Sequence, residues 1–240
     1  MPPITDPAAL GTIVGVWAHP DDEAYLSGGI MAAAIANGQR VVCVTATRGE
    51  LGVADESRWP AVRLAAIRTA ELEACLAVLG VTEHVWLDIP DGGCADIPDD
   101  EGTGRLADLI ADIRPDTILT FDDIGQTGHP DHMAVSRWAT AAGRKVAPDA
   151  RVLHAAKTPA WNAAFFSQID PSAVMMVEGL RPHETEPADL ALHVSLTDNA
   201  LTQKIRALRC QVSQIDPLIE QFGEELMIDL NREEFFISAP

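Results

Sequence analysis

Thr12-Ile13-Val14-Gly15-Val16-Trp17-Ala18-His19-Pro20-Asp21-Asp22-Glu23 is the stretch from which the rest of the chain is read. Its first six residues are apolar or β-branched toward both faces, as a strand buried on both sides of a parallel sheet requires. Pro20 keeps His19 out of helical backbone, so the imidazole stands in extended chain at the carboxyl end of that strand. One imidazole and three carboxylates fall within five residues. Packed charges of this kind are costly to desolvate, and a divalent cation ligated by His and carboxylate offsets the cost while holding its ligands deprotonated. Taken alone, the same residues also fit an ordinary strand-to-helix turn with Asp21 or Asp22 as N-cap.

Downstream, strand-like and helix-like segments alternate. Leu26 to Asn37 reads as a buried helix closed at Gly38, and Val41 to Ala46 as a second buried strand. From about Ala61 to Leu79, apolar residues at Leu64, Ile67, Leu72, Leu76 and Leu79 mark a helix that Gly80 stops. His84 to Leu87 is a third strand, Leu106 to Ile113 a helix, and Thr117 to Phe121 a fourth buried strand. This alternation predicts a parallel, doubly wound sheet. Right-handed crossovers then bring the Gly-punctuated loop Thr47 to Gly52 to the same end of the sheet as His19, as a candidate wall of the site that carries Glu50. Asp91 emerges there too, in a Pro- and Gly-rich loop after the third strand, among acidic residues read as largely solvated.

The fourth strand opens into Asp122-Asp123-Ile124-Gly125-Gln126-Thr127-Gly128-His129-Pro130-Asp131-His132, followed by a helix over Met133 to Ala142. Pro130 suits the first helical position, which puts His129 at the helix edge and His132 about one turn inside. Two His-Pro-Asp elements therefore follow two separate strands, and in an open parallel sheet both face the crevice outside the strands' carboxyl ends. That convergence favours a metal site over two unrelated caps. Beyond it, Arg151 to His154 reads as a fifth strand with His154 packed rather than ligating, and Thr158 to Gln168 as a helix. Glu178 to Asp189 reads as a loop placed to cover the pocket, His193 to Leu196 as a late strand, and Ala200 to Val212 as a helix. No repeat or linker divides residues 1–240, so one domain is expected.

Composition narrows the function classes. A formal charge of −19, from 36 acidic against 17 basic residues, argues against a surface that tracks nucleic-acid phosphates or anionic lipid. The four cysteines form no C-x-x-C pair, which argues against a thiolate zinc site and a disulfide framework and fits a reducing cytoplasm. The N-terminus has no basic n-region, and the uncharged stretch Ala24 to Gln39 is too short and too polar to span a bilayer. A soluble, cytoplasmic protein is expected, with assembly into a homo-oligomer left open.

A catalytic zinc site commonly offers three protein ligands and leaves a fourth position to water. His19, Asp22 and His132 supply such a set, with another divalent transition metal as the alternative to Zn2+. A bound ion can lower the pKa of water to about 7. Asp21, beside a ligand, is then the candidate general base, and His129 the candidate oxyanion partner or acid, with Asp131 orienting its ring. The set specifies metal-assisted hydrolysis of an acyl bond without selecting amide over ester.

At these residues the sequence resembles the LmbE-like, or PIG-L, family of zinc-dependent de-N-acetylases. The family's A-H-P-D-D-E motif stands complete at Ala18 to Glu23 and its G-H-P-D-H motif at Gly128 to His132. The likeness extends to Thr47-Arg48-Gly49-Glu50, Arg68-Thr69-Ala70-Glu71-Leu72 and Lys204-Ile205-Arg206-Ala207-Leu208, and is weakest from Trp161 to Leu190. It implies a Rossmann-like α/β fold with helices on both faces of the sheet. It also implies hydrolysis of an N-acetyl group on an amino-sugar-containing small molecule, with His19, Asp22 and His132 on zinc, Asp21 as base and His129 as its partner acid. By the same resemblance Arg68 and Asp91 match substrate-contacting positions, and Glu50 joins them on the loop wall. Mycothiol-pathway members carry a Tyr two residues before the first His of the second motif. Here Thr127 stands in that place and the single tyrosine is Tyr25.

Two other readings compete with deacetylation. An amidase for a larger thiol-conjugate or natural-product amide would show a roomy, apolar pocket. A non-catalytic metal- or nucleotide-binding module would have no use for Asp21 beside a full ligand set, and the chain lacks G-x-G-x-x-G and G-x-x-x-x-G-K-[ST].

Overall fold

All residues of β1 (Ile13–Trp17), β2 (Val41–Thr45) and β4 (Thr117–Thr120) are buried, as their continuous β-branched and apolar sequence demands of strands covered on both faces. The computed structural model describes residues 2–52 and 57–240. Among them, these strands join β3 (Glu83–Trp86), β5 (Arg151–Ala155), β6 (Leu192–Ser195) and β7 (Glu233–Ser238) in one sheet of order β3-β2-β1-β4-β5-β7-β6. The first five run parallel, whereas β7 lies antiparallel between β5 and β6. The helices are α1 (Asp22–Ala36), α2 (Ala61–Leu79), α3 (Asp99–Ile113), the single turn α4 (Gly125–Gly128), α5 (Pro130–Val146), α6 (Pro159–Phe166), α7 (Asp198–Leu208), α8 (Val212–Phe222) and α9 (Glu224–Leu230). α1 packs against α2 and α7, and α3 against α5, so the sheet is flanked by helices as expected of a doubly wound fold.

One feature of this order positions the site. β1 pairs with β2 on one side and with β4 on the other, so successive connections leave β1 and β4 in opposite directions. The crevice that opens at such a reversal lies outside the carboxyl ends of the two strands. His19 follows β1 and the second His-Pro-Asp element follows β4, which makes them neighbours across that crevice.

Three departures from the sequence reading matter most. α3 begins at Asp99, because Asp99, Asp100 and Glu101 favourably occupy the positive end of the helix instead of a solvated loop. The helix expected from Ala200 to Val212 breaks at Arg209 to Gln211 into α7 and α8. β7 was not foreseen, since Glu233-Glu234-Phe235-Phe236 opens on two acids. Glu234 is nonetheless 1 % exposed: it accepts from Lys204 Nζ at 2.7 Å and from the backbone N–H groups of Gly29 and Ile30 at 2.8 and 2.7 Å. Lys204 Nζ also donates to the carbonyl of Tyr25 at 2.9 Å, so this buried pair ties β7 and α7 to α1. The cysteines are free, as expected.

Candidate active site

His19, Asp22 and His132 are buried together at the switch point, 7, 8 and 9 % exposed. Each is held by a local device. The Asp22 carboxylate accepts from the His19 backbone N–H at 2.8 Å, folding the first motif back on itself. His132 Nδ1 lies 2.9 Å from the carbonyl of Gly125. Gly125 has φ +64°, and a Cβ there would come within 2.5 Å of the His132 Cβ, so glycine is what lets that carbonyl approach. His19 Nε2 faces Asp91 Oδ1 at 3.0 Å and Asp131 Oδ2 at 3.4 Å. Neither carboxylate is well aligned for a hydrogen bond, so the pairing is electrostatic in the main.

These partners assign the protons. A carbonyl only accepts, so His132 carries its proton on Nδ1 and presents the Nε2 lone pair. Two carboxylates at His19 Nε2 place a proton there and leave Nδ1 bare in the neutral ring. The two bare nitrogens are 3.0 Å apart, with Asp22 oxygens 3.7 Å from His19 Nδ1 and 3.6 Å from His132 Nε2. Three electron-pair donors this close together repel one another unless a positive charge sits among them. A divalent cation suits the set, since it takes neutral imidazole and carboxylate ligands. Without one, a proton takes the role. Burial opposes charge on His19, but the carboxylates of Asp131 and Asp91 that face its ring and the charge of Asp22 outweigh it and raise its pKa to about 10. Burial lowers that of His132 to about 4.

Asp21 occupies the N-cap position of α1 but makes no side-chain capping bond, so the capped-turn alternative does not describe it. Its backbone, at φ 110° and ψ −34°, is outside the regions that a non-glycine residue ordinarily adopts. Glu23, fully buried, accepts the Asp21 N–H at 3.0 Å, while its other oxygen takes Gln211 Nε2 at 3.1 Å and the Cys75 thiol at 3.4 Å. Glu23 therefore holds the strained residue. Arg68 reaches Asp21 Oδ2 at 3.3 Å. Burial raises the Asp21 carboxyl pKa to about 7, against the pull of the Arg68 guanidinium.

Three candidates stand elsewhere than the sequence reading placed them. Asp131 does not orient His129 through its carboxylate; it accepts from the N–H groups of Gly92 and Cys94 at 2.8 and 3.0 Å and faces His19. The link to His129 is the Asp131 backbone N–H, 3.2 Å from His129 Nδ1 in an N-cap bond that leaves the ring's proton on Nε2. Arg68 is 3 % exposed and its guanidinium is engaged by protein: it donates to the Gly49 carbonyl at 2.8 Å and to the Pro20 carbonyl, besides Asp21. It props the first motif rather than facing solvent. Asp91 turns one oxygen to His19 and the other to the Leu51 N–H at 2.8 Å, while Glu50 Oε1 accepts the Asp91 N–H at 3.0 Å. Glu50 Oε2 is buried without a partner. His154, 4 % exposed, pairs with the Thr140 hydroxyl at 2.8 Å, packed as expected.

One part of the site escaped the sequence reading. Asp22 and His132 form one end of a cavity of about 280 Å3 whose other walls come from α6, α8, α9 and the segment around Val174 and Pro182. No single stretch announces it, because most of its residues are generic apolar ones drawn from segments scattered along the chain. Among the described residues no helix is long and apolar enough to cross a membrane.

Comparison with known proteins finds relatives in sequence and in fold. The family described as PIG-L, GlcNAc-PI de-N-acetylase, matches residues 14–143, which run from β1 through both His-Pro-Asp elements. A 1D-myo-inositol 2-acetamido-2-deoxy-alpha-D-glucopyranoside deacetylase of Acidothermus cellulolyticus is 32 % identical over 234 residues, covering 83 % of this chain and 78 % of its own. One so named from Thermomonospora curvata is 31 % identical over 242 residues, covering 85 % and 80 %. Among solved structures, the N,N'-diacetylchitobiose deacetylase of Pyrococcus horikoshii shares the fold with a TM-score of 0.66 at 24 % identity, covering 99 % of this chain and 87 % of its own. With that match over more than half of its length, and both motifs wholly inside it, the chain belongs to the PIG-L family of de-N-acetylases.

Proposed function

We propose that the protein hydrolyses the N-acyl amide of an amino-sugar-containing small molecule, with one divalent ion, zinc by its donor set, held by His19, Asp22 and His132. The observation that carries this is the convergence of two bare imidazole nitrogens and a carboxylate, with a second carboxylate of pKa about 7 immediately beside them. When bound, the ion supplies Lewis acidity toward a water and the acyl carbonyl.

The chain's own residues supply the rest. Asp21, titrating near neutral pH, accepts a proton from the attacking water and returns it to the leaving amine. His129, its Nδ1 engaged by the Asp131 N–H, offers Nε2–H to the carbonyl oxygen as negative charge develops there; burial lowers its pKa and keeps it a neutral donor. Asp91 and Asp131 orient His19 from behind, as outer carboxylates do for ligating imidazoles. Glu50 Oε2 is a ready acceptor for a sugar hydroxyl. Substrates of the glucosaminyl-inositol type named for the relatives are the first to assay.

Metal analysis of purified protein, paired with an assay for released amine on N-acetylglucosaminyl compounds, tests the proposal. The expected result is about one divalent ion per chain, with activity lost on chelation and restored by zinc. Full activity in metal-free protein would refute it.

A further inference from the structure

The cavity beside the donor set has a chemistry that an acetyl group does not call for. α6 lines one side with Trp161, Phe165 and Phe166, and α8 and α9 the other with Leu218, Phe222 and Met227. Its polar side chains are mostly committed to protein. Gln126 donates to the Ala155 carbonyl at 2.9 Å, Asn231 to the Met227 carbonyl at 2.8 Å, and the Lys157 ammonium lies 4.2 Å from the centre of the Trp161 ring. The exception is the Tyr25 hydroxyl, buried without a partner and one helical turn beyond Asp22 on α1, a donor left for the acceptor of a ligand. Glu50, Arg68 and Asp91 are not in these walls. The donor set thus stands between a polar flank and an apolar chamber.

An amide at the donor set has two arms. The hydroxyl-rich amine arm is assigned to the flank that holds the unpaired Glu50 Oε2, which leaves the acyl arm for the chamber. At about 30 Å3 per water-sized group, the cavity of about 280 Å3 has room for roughly nine such groups, against the single methyl of acetate. We propose that the chamber is an acyl-chain site, and that the protein acts best on amino sugars carrying an aliphatic N-acyl chain of about six to ten carbons. This rests on the N-deacylase reading and specifies its substrate. Water adds to the acyl carbon, the C–N bond breaks, and the products are a fatty carboxylate and the free amine.

The test is kcat/KM across N-acetyl-, N-butyryl-, N-hexanoyl-, N-octanoyl- and N-decanoylglucosamine with the zinc-loaded protein. Burial of each methylene should raise it by about fourfold until the chamber is filled. Leu218→Trp and Met227→Trp, which fill the chamber from two different helices, should move the optimum to shorter chains. A flat or falling series with acetyl hydrolysed overturns the acyl site while leaving N-deacylation intact. Equal gain from octyl 2-acetamido-2-deoxy-glucoside puts the chain on the amine arm and also overturns it. If no acyl group is hydrolysed, the N-deacylase reading fails, and calorimetry with Asp21→Asn decides the chamber separately. Binding of N-octanoylglucosamine at least about tenfold tighter than N-acetylglucosamine supports an aliphatic-chain site, and equal binding removes it.

Discussion

The two sides of the crevice are built on opposite principles. On the polar side every group is fixed by a directed contact: Asp21 by Glu23 and Arg68, His132 by Gly125, Asp91 by Leu51, Asp131 by Gly92 and Cys94. On the apolar side, α6, α8 and α9 enclose a space with side chains whose contribution is area and volume, with Tyr25 as the unpaired donor. Directed contacts set geometry for chemistry, and area sets which substrate arm is rewarded. A change on the polar side should therefore act on turnover or metal, and one on the apolar side on chain-length preference.

The largest expected effect comes from Asp21→Asn, which removes the proton acceptor without touching the donor set. kcat should fall by roughly 10²- to 10⁴-fold with metal content unchanged and acyl-chain binding intact. Loss of metal in this variant would erase the distinction between base and ligand. Lys204→Met strikes the scaffold behind both sides. Leaving Glu234 buried and unpaired should cost about 3–5 kcal/mol in denaturant unfolding, and a midpoint close to that of the unaltered protein would show that Glu234 is neutralised another way.

Asp131→Asn asks which imidazole that carboxylate serves. If it stands behind His19, zinc affinity measured against a competing chelator should weaken by about 10- to 100-fold. A variant with normal affinity and an altered pH profile would return Asp131 to His129. Gly49→Ala is expected to be smaller in reach but clear in sign. Gly49 sits at φ +66°, and a Cβ there would fall 2.1 Å from an Arg68 nitrogen, so stability should drop by more than about 1 kcal/mol in thermal melts. His154 is a control for histidines outside the crevice. Burial lowers its pKa to about 4, below the unfolded value of 6.5, so between those values the unfolded chain binds the extra proton and stability falls as pH falls. His154→Gln should flatten that slope in denaturant titrations between about pH 4 and 6.5, the window between the two pKa values. An unchanged slope would trace it to other groups.

Much of the polar side was legible because its signals are local. Pro20 and Pro130 each fix the backbone beside a histidine, and strands of continuous β-branched residues place both elements at one end of a sheet. What misled was pairing by proximity in sequence: Asp131 is two residues from His129 but turns to His19, 112 positions earlier in the chain. Arg68, which by resemblance matches a substrate-contacting position, has its guanidinium against Pro20, Gly49 and Asp21.

By itself the sequence determined the alternating α/β architecture, the two His-Pro-Asp elements at strand ends and which side chains are candidate donors, because periodicity and proline geometry act over a few residues. Only the tertiary structure decided that β1 and β4 are adjacent, that Glu23 holds Asp21 in its strained conformation, and that an apolar chamber opens beside Asp22 and His132. Those facts depend on strand order and on packing between segments up to about 200 residues apart, and burial of generic apolar side chains is non-directional, so it leaves no local pattern in the chain.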